Sequence, residues 1–150
     1  MKFYEFLLDI GITPRKTKTI RAVAVPKKYF FDFLRGHFDG DGTSYSYWDP
    51  RWRSSFMFYM TVLSASKKHV SWLRMRIFDF AGIKGHITKS VNNSVYQLKY
   101  AKRESLILFR KMYYNTGVVC LLRKRVKMEE AFRTDKEKMR GWRNPVDAQD

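Results

Sequence analysis

The chain has 150 residues, enough for one ordinary domain with its own core and too few for two of normal size. Its 30 Lys and Arg against 14 Asp and Glu leave a net charge of +16, which points to a polyanionic partner, with nucleic acid ahead of an anionic membrane surface. Aromatic content of 17% excludes a disordered basic chain, no apolar run approaches the roughly 18 residues of a membrane span, and a single cysteine, Cys120, excludes an intrachain disulfide or a Cys-based zinc site.

In chain order, Phe3, Phe6, Leu7 and Ile10 recur at helical spacing, with Gly11 as a left-handed cap and Pro14 barring continuation. Residues 16–22 form a basic connector. Pro26 opens a second helix, predicted to Phe38, in which Tyr29, Phe30, Phe33, Leu34 and His37 return every three or four residues. Residues 43–48 and 53–64 are β-branched and aromatic around the turn pair Asp49-Pro50, and read as a hairpin. Ser66 caps a third helix with the stripe Val70, Leu73, Ile77 and Phe80, closed by Gly82. A second hairpin, 86–91 and 95–100, turns at Asn92-Asn93, residues that tolerate positive φ. Helices over 103–114 and 119–132 follow. Residues 1–25 therefore form an N-terminal helix and linker, 26–132 the folded domain, and 133–150 a loose tail with few apolar residues. The fold class is α+β, with one mixed, antiparallel-rich sheet, its helices on one face and its other face free.

Alternation identifies residues on the free face. With Asn92 and Asn93 central in the turn, Thr88 pairs with Gln97 and His86 with Lys99, leaving Ile87, Leu98, Lys89 and Tyr96 on the mostly apolar side. In the first hairpin Tyr45 and Tyr47 share a parity, as do Arg51, Arg53 and Ser55. A two-stranded ribbon with these donors suits the DNA major groove.

The end of the second helix carries the chemistry. Asp39 and Asp41 fall at its C-terminal, negative pole, where carboxylates are unfavourable unless a cation offsets both dipole and repulsion. A helix-ending Asp-Gly turn is the bland alternative. An EF-hand reading fails because Ser44 stands where Gly is needed and Pro50 where Glu is needed. His37 and His69 have no partners at metal-ligand spacing. Gly36 and Gly40, four apart on one face, permit close approach by another backbone.

The run Leu34-Arg35-Gly36-His37-Phe38-Asp39-Gly40-Asp41-Gly42 resembles the motif of the LAGLIDADG homing endonucleases at five of nine positions, and the hairpin, helix, hairpin, helix order after it is also similar. The resemblance spans residues 26–114, and residues 4–18 are similar to the helix and linker that often precede a second motif. It implies an αββαββα fold with a curved sheet, and two motif helices packed through Gly36 and Gly40. The second helix would come from a homodimer mate or from a first-half partner of a two-motif enzyme. By position Asp41 matches the metal-ligating acid, Gly40 the neighbour whose carbonyl assists, and Asp39 an acid of less defined role. The implied activity is Mg²⁺-dependent hydrolysis of double-stranded DNA by an intron-encoded enzyme, with Lys99 and Lys102 as equal choices for an assisting lysine. The DNA-binding set comprises Tyr45, Tyr47, Arg51, Arg53, Ser55, His86, Thr88, Gln97 and Lys99. Arg35 and His37 depart from the pattern and are expected to make the pairing helix more polar. The alternative is a non-cleaving binder on the same fold, an RNA maturase or a DNA-binding regulator. With no signal segment and no intein termini, a free-standing protein of the cytoplasm or an organelle matrix, not secreted, is expected.

Overall fold

The computed structural model of the protein describes residues 2–52, 55–91 and 94–143, with the backbone alone at 140–143. The elements are α1 (Phe3–Asp9), a 3₁₀ turn (Lys27–Tyr29), α2 (Phe30–Asp41), β1 (Thr43–Trp48), β2 (Phe56–Ser64), α3 (Lys67–Ala81), β3 (His86–Lys89), β4 (Tyr96–Ala101), α4 (Lys102–Met112) and α5 (Leu122–Arg143). From α2 to α4 this is the expected αββαββα order. The sheet runs β1-β2-β4-β3 and every neighbouring pair is antiparallel, where a mixed sheet was expected. The reason is the crossover: α3 carries the chain to the far edge for β3, and β4 returns into the gap beside β2.

Helices cover one face because the strands alternate. Phe56, Phe58, Met60 and Val62 of β2 are buried and meet Leu34 and Phe38 of α2, Leu73 and Ile77 of α3 and Leu108 of α4 in one core. Ser105 ties the layers together: its hydroxyl donates to the Tyr100 carbonyl and accepts from the Met60 amide. α3 starts where expected, the Ser66 hydroxyl accepting from the His69 amide, and stops at Gly82 in the left-handed region at φ 67°.

The second hairpin has the predicted register, His86 opposite Lys99 and Thr88 opposite Gln97. Its turn at Asn92 and Asn93 lies outside the described residues. The first hairpin differs. β2 begins at Phe56, and the Asp49 amide donates to the Ser55 carbonyl at 2.8 Å, which joins the two ends of the connection between the strands. Inside it the Asp49 carboxylate accepts from the Arg51 amide and guanidinium, so Arg51 sits on this loop and not on the ribbon. Pro50, with no N–H, cannot extend the ladder there. Arg53 lies outside the described residues.

α5 runs well past residue 132, to Arg143. Phe132 stacks edge-on against Phe58 and Phe109, Arg125 pairs with Glu129 one turn on, and Asp135 pairs with Lys102, so sparse apolar residues suffice to hold it. At the other end α1 buries none of its residues, while the following segment is fastened to α3 through the Ile20 and Arg21 carbonyls, which meet Ser66 Oγ and His69 Nδ1. No helix among the described residues is long and apolar enough to cross a membrane.

Candidate nucleic-acid interface and metal-binding helix end

Three faces of α2 have three different fates. Phe30, Leu34 and Phe38 point into the core. Arg35 and Asp39 turn toward the α4–α5 connection: the Arg35 guanidinium donates to the carbonyls of Met112 (2.6 Å) and Val119 (2.9 Å) and to Asp32 (2.8 Å). Arg35 therefore does not make the pairing face polar, as expected from sequence; it caps the end of α4 within its own chain. Asp39 is spent in the same way, accepting from Tyr113 Oη and from the Leu121 amide. Burial, with Asp39 beside it, pushes the Tyr113 hydroxyl upward, so it stays protonated and donating.

The third face is open at Gly36, Gly40 and Asp41. Phe33, Gly36, His37, Gly40 and Asp41, one helical stripe, line a groove of about 580 Å³ together with Ile12, Lys16, Thr17 and Ile20 of the N-terminal segment. A Cβ placed on Gly36 or Gly40 would meet nothing within 4 Å. The two glycines proposed for helix pairing are thus open to a companion. Under the groove the His37 ring stacks on His69 at 5.2 Å, and burial lowers the pKa of both.

Asp41 is the last residue of α2, is exposed, and makes no hydrogen bond or ion pair among the described residues. Gly42 then breaks the helix within one residue, its amide closing onto the Phe38 carbonyl while its own backbone is extended (φ −82°, ψ 162°). Only glycine fits: a Cβ would lie 2.2 Å from the Phe38 ring and 2.6 Å from the Phe38 carbonyl oxygen. The Gly40 carbonyl is among the last four of the helix, which have no partner within it. One free carboxylate and one carbonyl are hard oxygen donors of the kind Mg²⁺ takes, and they amount to half a site. No cluster of three His, Cys, Asp or Glu that could hold a metal occurs among the described residues.

Sequence reasoning missed the groups at this pole that come from α5. Lys124 Nζ donates to the carbonyls of Phe38 (2.7 Å) and Gly42 (2.6 Å), so the cation that the helix pole asked for is, in part, the protein's own ammonium. Its pKa is lowered by burial first and by Arg123, with Asp39 and Asp41 opposing.

Across the sheet the open-face side chains form rows. Thr43, Thr61, Lys99 and His86 stand opposite one another on β1, β2, β4 and β3, and of these Thr61 is itself buried. This row starts two residues after Asp41. At about 4.8 Å per strand, Lys99 lies about 10 Å from Thr43, so its long side chain can share a phosphate with Asp41. Flanking rows hold Leu63, Gln97 and Thr88 on one side and Tyr45 and Tyr59 on the other. Lys102 is excluded: it opens α4 on the helix side, where Nζ donates to the Phe56 carbonyl and pairs with Asp135. The chain has left the sheet by then, so strand parity no longer applies. Ser55 precedes β2 with open-face parity, its hydroxyl against Met57 Sδ.

Tyr45, Tyr47 and Tyr59 stack with near-parallel planes, centroids 5.1 to 6.4 Å apart. Their ring faces are turned to one another, so edges and hydroxyls are what they offer to a ligand. Tyr59 and Thr61 were legible in the alternation of residues 56–63, whose odd positions oppose the apolar even ones.

This architecture is that of homing endonucleases. The chain is similar to the crystal structure of the homing endonuclease I-TnaI, with 18% identity, a TM-score of 0.54 and 74% of each chain covered. It is also similar to the homing endonuclease I-CvuI, solved in complex with the I-CreI target in the presence of 2 mM Mg with the DNA not cleaved, with 16% identity, a TM-score of 0.56, and 77% of this chain and 71% of that one covered. At these identities the likeness is one of fold. Neither a protein-family model nor a curated protein matches the sequence.

Proposed function

We propose that the protein is a site-specific, intron-encoded DNA endonuclease whose open sheet face lies against duplex DNA and whose Asp41 end of α2 is completed by a second motif helix. The observation that carries this reading is the bare stripe Gly36, Gly40 and Asp41, which ends in a carboxylate with no partner among the described residues, beside the row holding Lys99. Fold similarity to homing endonucleases, one of them in complex with DNA, supports it. A second copy of the chain, or a first-half partner of the same fold, would pack on the glycines and bring the second acid that cutting both strands requires.

Asp41 and the Gly40 carbonyl would hold Mg²⁺, which when bound beside a phosphate polarises the phosphoryl group and makes its water more acidic. Lys99 supplies positive charge to the phosphate oxygens from the sheet side. His86, Thr88, Gln97, Tyr45, Tyr47 and Tyr59 present donors and acceptors to base edges, with Ser55 and Arg51 at the β1–β2 end toward backbone phosphates. Arg53 is assigned to the same end by sequence position alone.

Lys124 favours a second reading, a non-cleaving nucleic-acid binder, because an ammonium already offsets the helix pole. Selection of cut ends from a random duplex library with Mg²⁺ separates the two. A defined, recurrent cut sequence is expected, palindrome-like if two copies pair. Duplex retained on the protein with no cut product would establish the binder instead.

A further inference from the structure

We propose that Lys124 is a positioning residue: its ammonium clamps the break between α2 and β1 and thereby fixes where the Asp41 carboxylate stands. The inference rests on the reading of Asp41 as the metal-holding acid. Asp41 makes no bond of its own among the described residues, so the backbone on either side of it sets its direction. That backbone is held from outside. Lys124 Nζ bridges the Phe38 and Gly42 carbonyls, the last that closes a helical turn and the first that is extended, and so brackets Asp39, Gly40 and Asp41. One turn further along α5, Lys127 Nζ donates to the Ser44 carbonyl, so one helix grips both sides of the break.

The ammonium lies against the Phe38 ring, 5.3 Å from its centroid, and the residue is half-buried. Without it, the Gly42 carbonyl loses this donor at the negative pole of a helix, beside two carboxylates, and relaxes toward solvent. The Asp41 peptide unit moves with it. A shift of about 1 Å at a reacting group costs on the order of 100-fold in rate.

The test compares Lys124→Gln and Lys124→Arg in the full chain. For the Gln variant, amide hydrogen exchange without metal at residues 40–43 should quicken about tenfold or more while α3 amides keep their protection. Duplex affinity should stay within about threefold, and Mg²⁺-dependent cleavage should fall by about 10- to 100-fold. The Arg variant, whose guanidinium reaches both carbonyls, should restore protection and cutting. Exchange at 40–43 unchanged in the Gln variant, or rising equally in every helix, would overturn the proposal. If the unaltered protein cuts no duplex, the endonuclease reading falls, and the exchange comparison still decides whether Lys124 holds this segment.

Discussion

Arg35 and Gly36 are neighbours in sequence and opposites in use, because one residue step rotates a helix by about 100°. The Arg35 guanidinium closes the end of α4, while Gly36 faces an open groove. The same rotation separates Asp39, consumed by Tyr113 and the Leu121 amide, from Asp41, which has no such partner among the described residues. A motif read as a string cannot separate these roles, since the carbonyls that Arg35 holds and both partners of Asp39 lie 74 to 84 residues away. His37 adds a pH dependence. Burial holds the pKa of His37 and of His69 below the ordinary 6.5, so the unfolded chain takes up protons before the folded one does. Stability is complete above about pH 6.5 and falls as pH drops, by at most about 1.4 kcal/mol per pH unit for each histidine, levelling off below the folded pKa values. The unfolding midpoint in denaturant, followed from pH 8 to 5, should therefore decline below about 6.5, and the His37→Phe variant should lose part of that decline. An acid limb identical in the two proteins would show that His37 is not a source of it.

α2 and the strands were legible because their apolar positions recur at fixed periods and one face of each must be buried. The β3–β4 register followed from a single assumption about the turn, since a slip of one residue would have turned His86 and Lys99 into the core. The β1–β2 loop was not legible, because it is shaped by Asp49 holding Arg51, a local side-chain choice that competes with the ladder. Lys102 stood beside Lys99 as a choice because it lies at the strand-to-helix junction, and the sequence does not show to which side of the sheet α4 carries it. The bare stripe of α2 gives a sharp expectation. Because nothing lies within 4 Å of a Cβ at Gly36, Gly36→Leu should fold normally and, by helix propensity, gain about 0.5 to 1 kcal/mol of stability. It should nonetheless lose helix pairing and cleavage. Sedimentation of the DNA-bound protein would show this, and a variant that still associates and cuts would remove the glycine stripe from the mechanism.

Taken whole, the molecule keeps most of its positive charge off its sheet. Of its net charge of +16 the sheet's open face carries little: Lys99 and His86 stand among Thr, Tyr, Gln, Leu and Met. Arg15, Lys16, Lys18 and Arg21 of the linker and Arg123, Lys127, Arg133 and Lys136 of α5 are exposed and lie outside the sheet. Composition announced the polyanion, but only the fold shows that the open sheet face itself is largely neutral. The α5 arm was the least legible part, since its contacts to α2 and β1 are lysine-to-carbonyl bonds that leave no periodic trace. The most direct measurement is the affinity of the protein and of Asp41→Asn for a mixed-sequence DNA duplex, with and without Mg²⁺. With Asp41 facing phosphate, the Asn variant should bind about three- to tenfold tighter in the absence of metal, and Mg²⁺ should strengthen binding of the unaltered protein alone. Equal affinities for the two proteins under both conditions would place Asp41 away from the DNA and contradict the site.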